Sequence, residues 1–363
     1  MINSKSTNFK NTNFEELYNT SLNLYREIEK NRYLSATHEE IEKGLTTDIY
    51  FIRTCFLLEK VGKLNTFVTA EIFANDFGVF AGLQEVLYLL RNKNVKIESL
   101  EEGELFEPKE VIMRIEGPYG EFGYLETVIL GILASSSNWA TASKLCKDAA
   151  NGKKVICFGA RFVHPSCAPV MERCALIGGA DDVSCILGAS LAGKEPRGTV
   201  PHAFIIILGD TLEAAKIFDQ YIDTNIPRII LVDTFKDEAE ESIRIAKFFK
   251  EMGKILYGVR LDTPRERGRV TPELVSEVKE RLKQEGFDNV KIVVSGGLDP
   301  ERISILEKAG ADIFGVGSFI ASYNKIQFTM DLKQVENRNV AKRGRIPGKT
   351  PNPKLKIVKN LNE

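Results

Sequence analysis

Arg260 and Asp262, a cation and an anion two residues apart, close the run Gly258-Val259-Arg260-Leu261-Asp262-Thr263. In an extended strand, residues i and i+2 point to the same face, so these two side chains act together. Either they neutralise each other as an ion pair, or the guanidinium holds a phosphate while the carboxylate meets ribose hydroxyls or a magnesium-bound water. Asp233 ends Ile229-Ile230-Leu231-Val232-Asp233 in the same way, and packing gives no reason for an acid directly after four apolar strand residues. Arg161 ends the run 155–161 beside Phe158 and Phe162. A planar guanidinium among aromatic rings suits an aromatic carboxylate, by bidentate pairing and stacking; a salt bridge to Asp181 is the structural alternative. His202 follows Gly198-Thr199-Val200-Pro201 and precedes the apolar run 203–208, a setting open to a hydrogen-bonded core histidine or to a reactive one. Two glycine turns, Ser295-Gly296-Gly297-Leu298-Asp299-Pro300 and Phe314-Gly315-Val316-Gly317-Ser318, let backbone N–H groups approach an anion. A helix starting near Pro300 would add the partial positive charge of its N-terminus.

These residues share one pattern of elements. Short β-branched runs recur at 155–161, 198–202, 228–234, 256–262, 291–297 and 313–318, and stretches of helical period such as 237–250 and 272–285 lie between most of them. Strand-helix-strand alternation builds a parallel sheet whose functional groups collect at the carboxyl ends of its strands. Cations, carboxylates and phosphate-sized backbone turns at those ends fit a phosphorylated, charged substrate.

The rest of the chain mixes both periods. Helices are expected at 14–33, 50–61, 82–92 and 124–150, and strands at 66–72, 96–100, 111–116, 328–335 and 355–359. Gly117-Pro118-Tyr119-Gly120 reads as a breaker, and the basic, proline-containing stretch 342–354 as a loop. The expected fold is α/β: an irregular TIM-like α/β barrel over 136–327, and a smaller mixed α/β domain from 38–135 completed by 328–363. Residues 1–37 form an N-terminal extension with a helix.

A net charge of -1 with interspersed signs leaves no nucleic-acid footprint, so any basic site must be local. No uncharged apolar run reaches the roughly eighteen residues of a membrane span, and the polar start has no signal-peptide core, so a cytoplasmic protein without a membrane partner is expected. The six cysteines, at 55, 146, 157, 167, 174 and 185, contain no Cys-x-x-Cys pair; free thiols are expected rather than zinc or a disulfide framework.

Read in order, a set of strings resembles the nicotinate phosphoribosyltransferase family in its shorter archaeal and bacterial form. They are Thr47-Asp48-Ile49-Tyr50, Phe158-Gly159-Ala160-Arg161, Gly178-Gly179-Ala180-Asp181, Gly198-Thr199-Val200-Pro201-His202, Leu231-Val232-Asp233-Thr234, Gly258 to Thr263, Ser295-Gly296-Gly297 and Phe314 to Ser318. The resemblance covers residues 38–335 and implies a type II phosphoribosyltransferase that joins nicotinate to phosphoribosyl pyrophosphate, releasing pyrophosphate with the help of ATP hydrolysis. It also implies Mg2+ and a homodimer or larger homo-oligomer with shared active sites. Carried over residue by residue, Tyr50 would stack on the pyridine from a neighbouring subunit, with Phe158 on its other face. Arg161 would lie beside ring and phosphates, and Asp181 near the pyridine substituent. Asp233 and Asp262 would bind ribose and organise magnesium, Arg260 would hold phosphate, and Ser295, Gly296, Gly297, Gly317 and Ser318 would surround the 5′-phosphate. His202 matches the histidine that ATP phosphorylates.

Three departures stand out. Phe162 occupies a position where relatives often carry Arg or His; no cysteine follows Cys185, where some relatives have a zinc knuckle; and the helix before His38 has no family role. The nearest rivals are a related enzyme using quinolinate, which needs further cations for a second carboxylate, or nicotinamide. A phosphosugar lyase or isomerase would want a strand-end Lys or Glu, and a non-catalytic nucleotide-binding relative would not need the intact polar set.

Overall fold

The computed structural model describes residues 12–27 and 32–361. The chain divides into two compact units, Met1–Asn138 with Asn324–Glu363, and Trp139–Tyr323. Among the described residues no helix is long and apolar enough to cross a membrane.

The first unit is built on a six-stranded antiparallel sheet in the order Arg338–Asn339, Phe328–Val335, Phe67–Ala74, Val111–Pro118, Lys96–Ser99, Lys356–Lys359. Strand alternation sends Ala70, Ile72, Met113, Ile115, Ile97 and Met330 to one face, where they join Phe80, Val86, Leu90 and Ile129 in an apolar core. The other face is charged. Cross-strand register sets Asp331, Glu71, Arg114 and Glu98 side by side. The strands expected over 328–335 and 355–359 stand at Phe328–Val335 and Lys356–Lys359. The helix expected over 14–33 spans Phe14–Glu27; residues 28–31 lie outside the described ones, and no helix covers 32–33. The breaker acts late: the Val111 strand continues through Gly117 and Pro118, which pair with Val68 and Phe67, before a helix begins at Tyr119.

The second unit carries six parallel strands in the order Asp182–Val183, Lys154–Cys157, Ile313–Val316, Lys291–Ser295, Gly258–Leu261, Ile229–Leu231. The α/β architecture is thus the expected one. Among the described residues no pairing joins the two outermost strands, so the ladder is not closed by hydrogen bonds. Val155, Ile230, Val259, Leu261, Ile292, Val294, Phe314 and Val316 pack with helices such as Glu238–Glu251 and Pro272–Gln284 in the larger core. Ile156, Val293 and Ile313 form a small apolar cluster of their own on the opposite face, with Phe158, Ile229 and Tyr257. Alternation puts Arg260, Asp262 and Ser295 on that second face.

Two local expectations fail. Residues 198–202 form no strand: Val200 stands alone between Pro196 and Pro201 among polar residues and glycine, and Pro201 has no N–H to give a ladder. His202 instead opens the helix His202–Leu208. The ladder takes the Asp182–Val183 strand, whose two residues are too few to show a period.

Candidate active site

Four strand ends of the parallel sheet converge on one polar cluster. Arg260 is its hub: Nε donates to Ser295 Oγ at 3.0 Å, Nη1 to Thr199 Oγ1 at 2.8 Å, and Nη2 to Asp262 Oδ2 at 3.1 Å. Ser295 Oγ donates in turn to the other oxygen of Asp262, at 2.8 Å. The guanidinium also lies over the Phe158 ring, 5.6 Å from its centroid. The ion pair between Arg260 and Asp262 therefore exists, but it is one arm of a network that fixes both planar groups at the mouth of the sheet.

Asp233 lies beside this network with a different fate. Its residue exposure is 7%, and neither carboxylate oxygen has a hydrogen-bond partner among the described residues. Burial raises its pKa above the ordinary carboxylate range; neighbouring His202 opposes this, and the nearby Asp262 and Glu238 carboxylates add to it. His202 Nδ1 is 3.1 Å from Thr234 Oγ1, which anchors the ring. Nε2 then faces both acids, 3.7 Å from Asp262 Oδ2 and 3.9 Å from Asp233 Oδ2. Those distances are too long for hydrogen bonds and short enough for ion pairing if the ring is protonated. A buried carboxylate without donors is costly, and here it points to a missing cation or hydroxyl ligand. Magnesium, which keeps several waters and takes one or two carboxylates plus phosphate oxygens, suits the Asp233–Asp262 pair.

The glycine turns border the cluster. Gly296 and Gly297 both adopt left-handed φ, +94° and +64°. A Cβ on Gly296 would stand 3.0 Å from Asp262 Oδ1, so the turn passes close to the acid. The helix Pro300–Lys308 does start there, but Asp299 Oδ1 already caps it by accepting from Arg302 N at 2.8 Å. Gly317 permits a different approach: its Cβ would meet the Phe162 ring at 2.5 Å and the Phe158 carbonyl oxygen at 2.7 Å. Ser318 opens the short helix Ser318–Ser322.

The remaining sequence-selected residues divide. Arg161 lies exposed on the turn Ala160–Phe162, its guanidinium 5.1 Å from the Phe162 centroid and without an acid partner among the described residues. Asp181 does not join the cluster. Its Oδ2 accepts from Val155 N at 2.8 Å and from Lys147 Nζ at 2.7 Å, which fixes it at the amino end of the Lys154–Cys157 strand, away from the strand tips. The expectation of Asp181 near a pyridine, and of an Arg161–Asp181 bridge, is corrected by that register. Tyr50 belongs to the first unit, 56% exposed on the helix Ile49–Lys60, with its hydroxyl 3.3 Å from Asp48 Oδ2. Thr199 and Thr234 were missed as parts of the site; both stand inside strings quoted above, but nothing local marks a threonine as an anchor for a distant Arg or His.

A parallel α/β sheet with paired carboxylates, a networked arginine and glycine turns at its strand tips defines the class of enzymes that handle phosphorylated sugars. The comparisons narrow the class. Residues 48–137 match the model of the quinolinate phosphoribosyl transferase N-terminal domain, and residues 139–331 that of its C-terminal domain. The chain belongs to the quinolinate phosphoribosyl transferase family. It is similar to nicotinate-nucleotide pyrophosphorylase from Pyrococcus furiosus, with 42% identity, a TM-score of 0.83, and coverage of 88% of this chain and 82% of that one. Human nicotinic acid phosphoribosyltransferase shares the fold, with a TM-score of 0.67 at 18% identity, over 84% of this chain and 77% of that one. Nicotinate phosphoribosyltransferase of Bacillus subtilis is 28% identical over 78% of this chain, which spans 64% of that relative's length.

Proposed function

We propose that the protein transfers the phosphoribosyl group of phosphoribosyl pyrophosphate to nicotinate, forming nicotinate mononucleotide and pyrophosphate in NAD synthesis or salvage, with ATP hydrolysis coupled through His202. The observation that carries this reading is the buried, partnerless Asp233 carboxylate beside the fixed Asp262. As pyrophosphate leaves, positive charge develops on the ribose, and two oriented carboxylates stabilise it. Magnesium held by Asp233 and Asp262 would neutralise the leaving pyrophosphate. Arg260 keeps Asp262 oriented and offers its charge to a phosphate, while Ser295 and the Gly296-Gly297 turn receive the 5′-phosphate with Gly317 and Ser318. Phe158 and Arg161 receive the aromatic acid, whose ring nitrogen is already a nucleophile, so no general base is needed. Tyr50, exposed on its helix, would reach the pyridine from a neighbouring subunit of a homo-oligomer, and a cytoplasmic location belongs to the same reading.

His202 supports the ATP-coupled reading because its ring is tethered by Thr234 and faces the acids that would gather metal and phosphates. A second reading, quinolinate as the acceptor, is favoured by the family models that match both parts of the chain. The deciding experiment incubates the full chain with phosphoribosyl pyrophosphate, magnesium and each of nicotinate, nicotinamide and quinolinate, with and without ATP. Mononucleotide from nicotinate is expected; carbon dioxide release from quinolinate instead would transfer the reaction to the second reading, and no product from any acid would end both. His202→Ala should lose the ATP-driven enhancement and keep slow ATP-independent turnover. Full ATP stimulation in that variant rules out the phosphohistidine role.

A further inference from the structure

Beyond Asp262 the chain enters a loop with three arginines that the chemistry above does not use, Arg265, Arg267 and Arg269. Arg267 is pinned to the body of its unit: Nη1 donates at 3.1 Å to Oε1 of the buried Glu238, which also accepts from the Thr263 hydroxyl at 3.0 Å. Arg265 is exposed in the 3-10 turn Arg265–Arg267, and no acid pairs with it among the described residues. Arg269 differs from both.

Its backbone holds φ +65°, in the left-handed region that strains a residue with a β-carbon. Its side chain reaches across to the neighbouring strand end, where Nη1 donates to the Gly297 carbonyl at 2.9 Å. A Cβ built on Gly297 would collide with this guanidinium, so the cation lies against the glycine turn itself. That hydrogen bond uses one of five N–H donors, and no other partner stands among the described residues. A strained residue thus aims a half-buried, mostly unspent guanidinium at a turn whose own donors are backbone amides. Amides supply direction but only partial charge; a fixed guanidinium adds the full charge and a fork that matches phosphate oxygens.

We propose that Arg269 binds the 5′-phosphate of the sugar substrate, holding the Gly296-Gly297 turn with one N–H and giving the others to the phosphate. The proposal rests on the phosphoribosyl reading, and its test separates the two. Ribose 5-phosphate and inorganic pyrophosphate, each with magnesium, are titrated into the full chain and into three variants. Arg269→Asn suits the left-handed backbone and removes the cation; Arg269→Lys keeps charge without the fork; Arg265→Asn removes a neighbouring charge with no link to the turn. Ribose 5-phosphate should bind at least tenfold more weakly to Arg269→Asn and severalfold more weakly to Arg269→Lys, with Arg265→Asn close to the parent. Pyrophosphate should bind all four proteins alike, and the KM for phosphoribosyl pyrophosphate in Arg269→Asn should rise with little change in kcat. Unchanged ribose 5-phosphate binding by Arg269→Asn overturns the proposal, as does equal weakening in Arg265→Asn, which would reduce the effect to unspecific charge. A lowered melting temperature in Arg269→Asn with unaltered ribose 5-phosphate affinity would make the link to Gly297 purely structural and also overturn it. If the parent binds neither ligand, the phosphoribosyl reading itself falls.

Discussion

Each unit buries charged groups, and the charged sheet face of the first differs sharply from Asp233 in the second. On the charged face of the antiparallel sheet, Glu71 is 1% exposed and fully matched: its Oε1 accepts from Arg114 Nε at 3.0 Å, Arg114 Nη2 at 2.9 Å and Thr350 N at 2.9 Å. Arg114 passes its remaining donors to Glu98 and to the Thr350 carbonyl. Lys333 donates to the Ile346 carbonyl at 2.5 Å, and Arg345 to Asp331 at 2.6 Å, so the 342–354 loop closes over a network without loose ends. At the tips of the parallel sheet, the Asp233 side chain is as deeply buried and accepts no hydrogen bond among the described residues. Burial of charge alone therefore does not mark a site. A buried acid with neither oxygen hydrogen-bonded is a stronger pointer, because a ligand can offset its desolvation cost.

Three substitutions would break or sharpen that contrast. Asp233→Asn should lower turnover by about a hundredfold or more, the scale seen when a preorganised electrostatic group is removed. The same change should leave the unligated protein no less stable at neutral pH. Because burial raises its pKa, the stabilising protonated form of Asp233 prevails at low pH, and that contribution is lost as pH rises through the raised value. Thermal melts across pH would show this; a large loss of stability with activity intact would turn Asp233 into a structural acid. Arg114→Met takes the guanidinium from the buried Glu71 and leaves it the Thr350 N–H and Lys333 Nζ at 3.9 Å, so equilibrium unfolding should register a loss of up to about 3–5 kcal/mol, most of it recovered when Glu71→Leu is added. If the double variant is no better than the single one, the network is more than a matched pair.

The smallest effect concerns Glu126, half-buried in the first turn of the helix Glu126–Ala149, whose carboxyl is pushed up to about 7 by burial and then by the Asp331 carboxylate. The folded state holds its proton more tightly than the unfolded one, so this contribution is full below the ordinary value and lost as pH rises through about 7. Glu126→Gln should exceed the parent by about 1–2 kcal/mol at pH 8, after allowance for partial exposure, with the gap narrowing as the pH is lowered towards 4.5. Urea unfolding at both ends of that range measures it, and a gap that does not change with pH would contradict the assignment.

Much of the site could be read along the chain. Period-2 alternation puts Arg260 and Asp262 on one face whatever the partner strands are, and the apolar run before Asp233 delivers it to a strand end. The paired glycines announce a turn that only positive φ permits. Asp181 lies just before a strand only two residues long, Asp182–Val183, so only the ladder with Lys154–Cys157 tells which end of the sheet it occupies. His202 stands beside the acids through a helix start rather than a strand end, with Thr234 holding the ring.

Sequence by itself determined the α/β rhythm, the parallel sheet and the chemical inventory of the strand tips, since alternation, turn-forming glycines and apolar runs follow from local backbone geometry. Tertiary structure alone decided which groups remain unsatisfied. Thr199, Ser295 and Asp262 come from different segments to use up Arg260, while no donor reaches Asp233 and the Arg269 guanidinium settles on Gly297. Hydrogen-bond satisfaction is a property of neighbours in space, and residues far apart in the chain become neighbours only through the register of the strands that carry them.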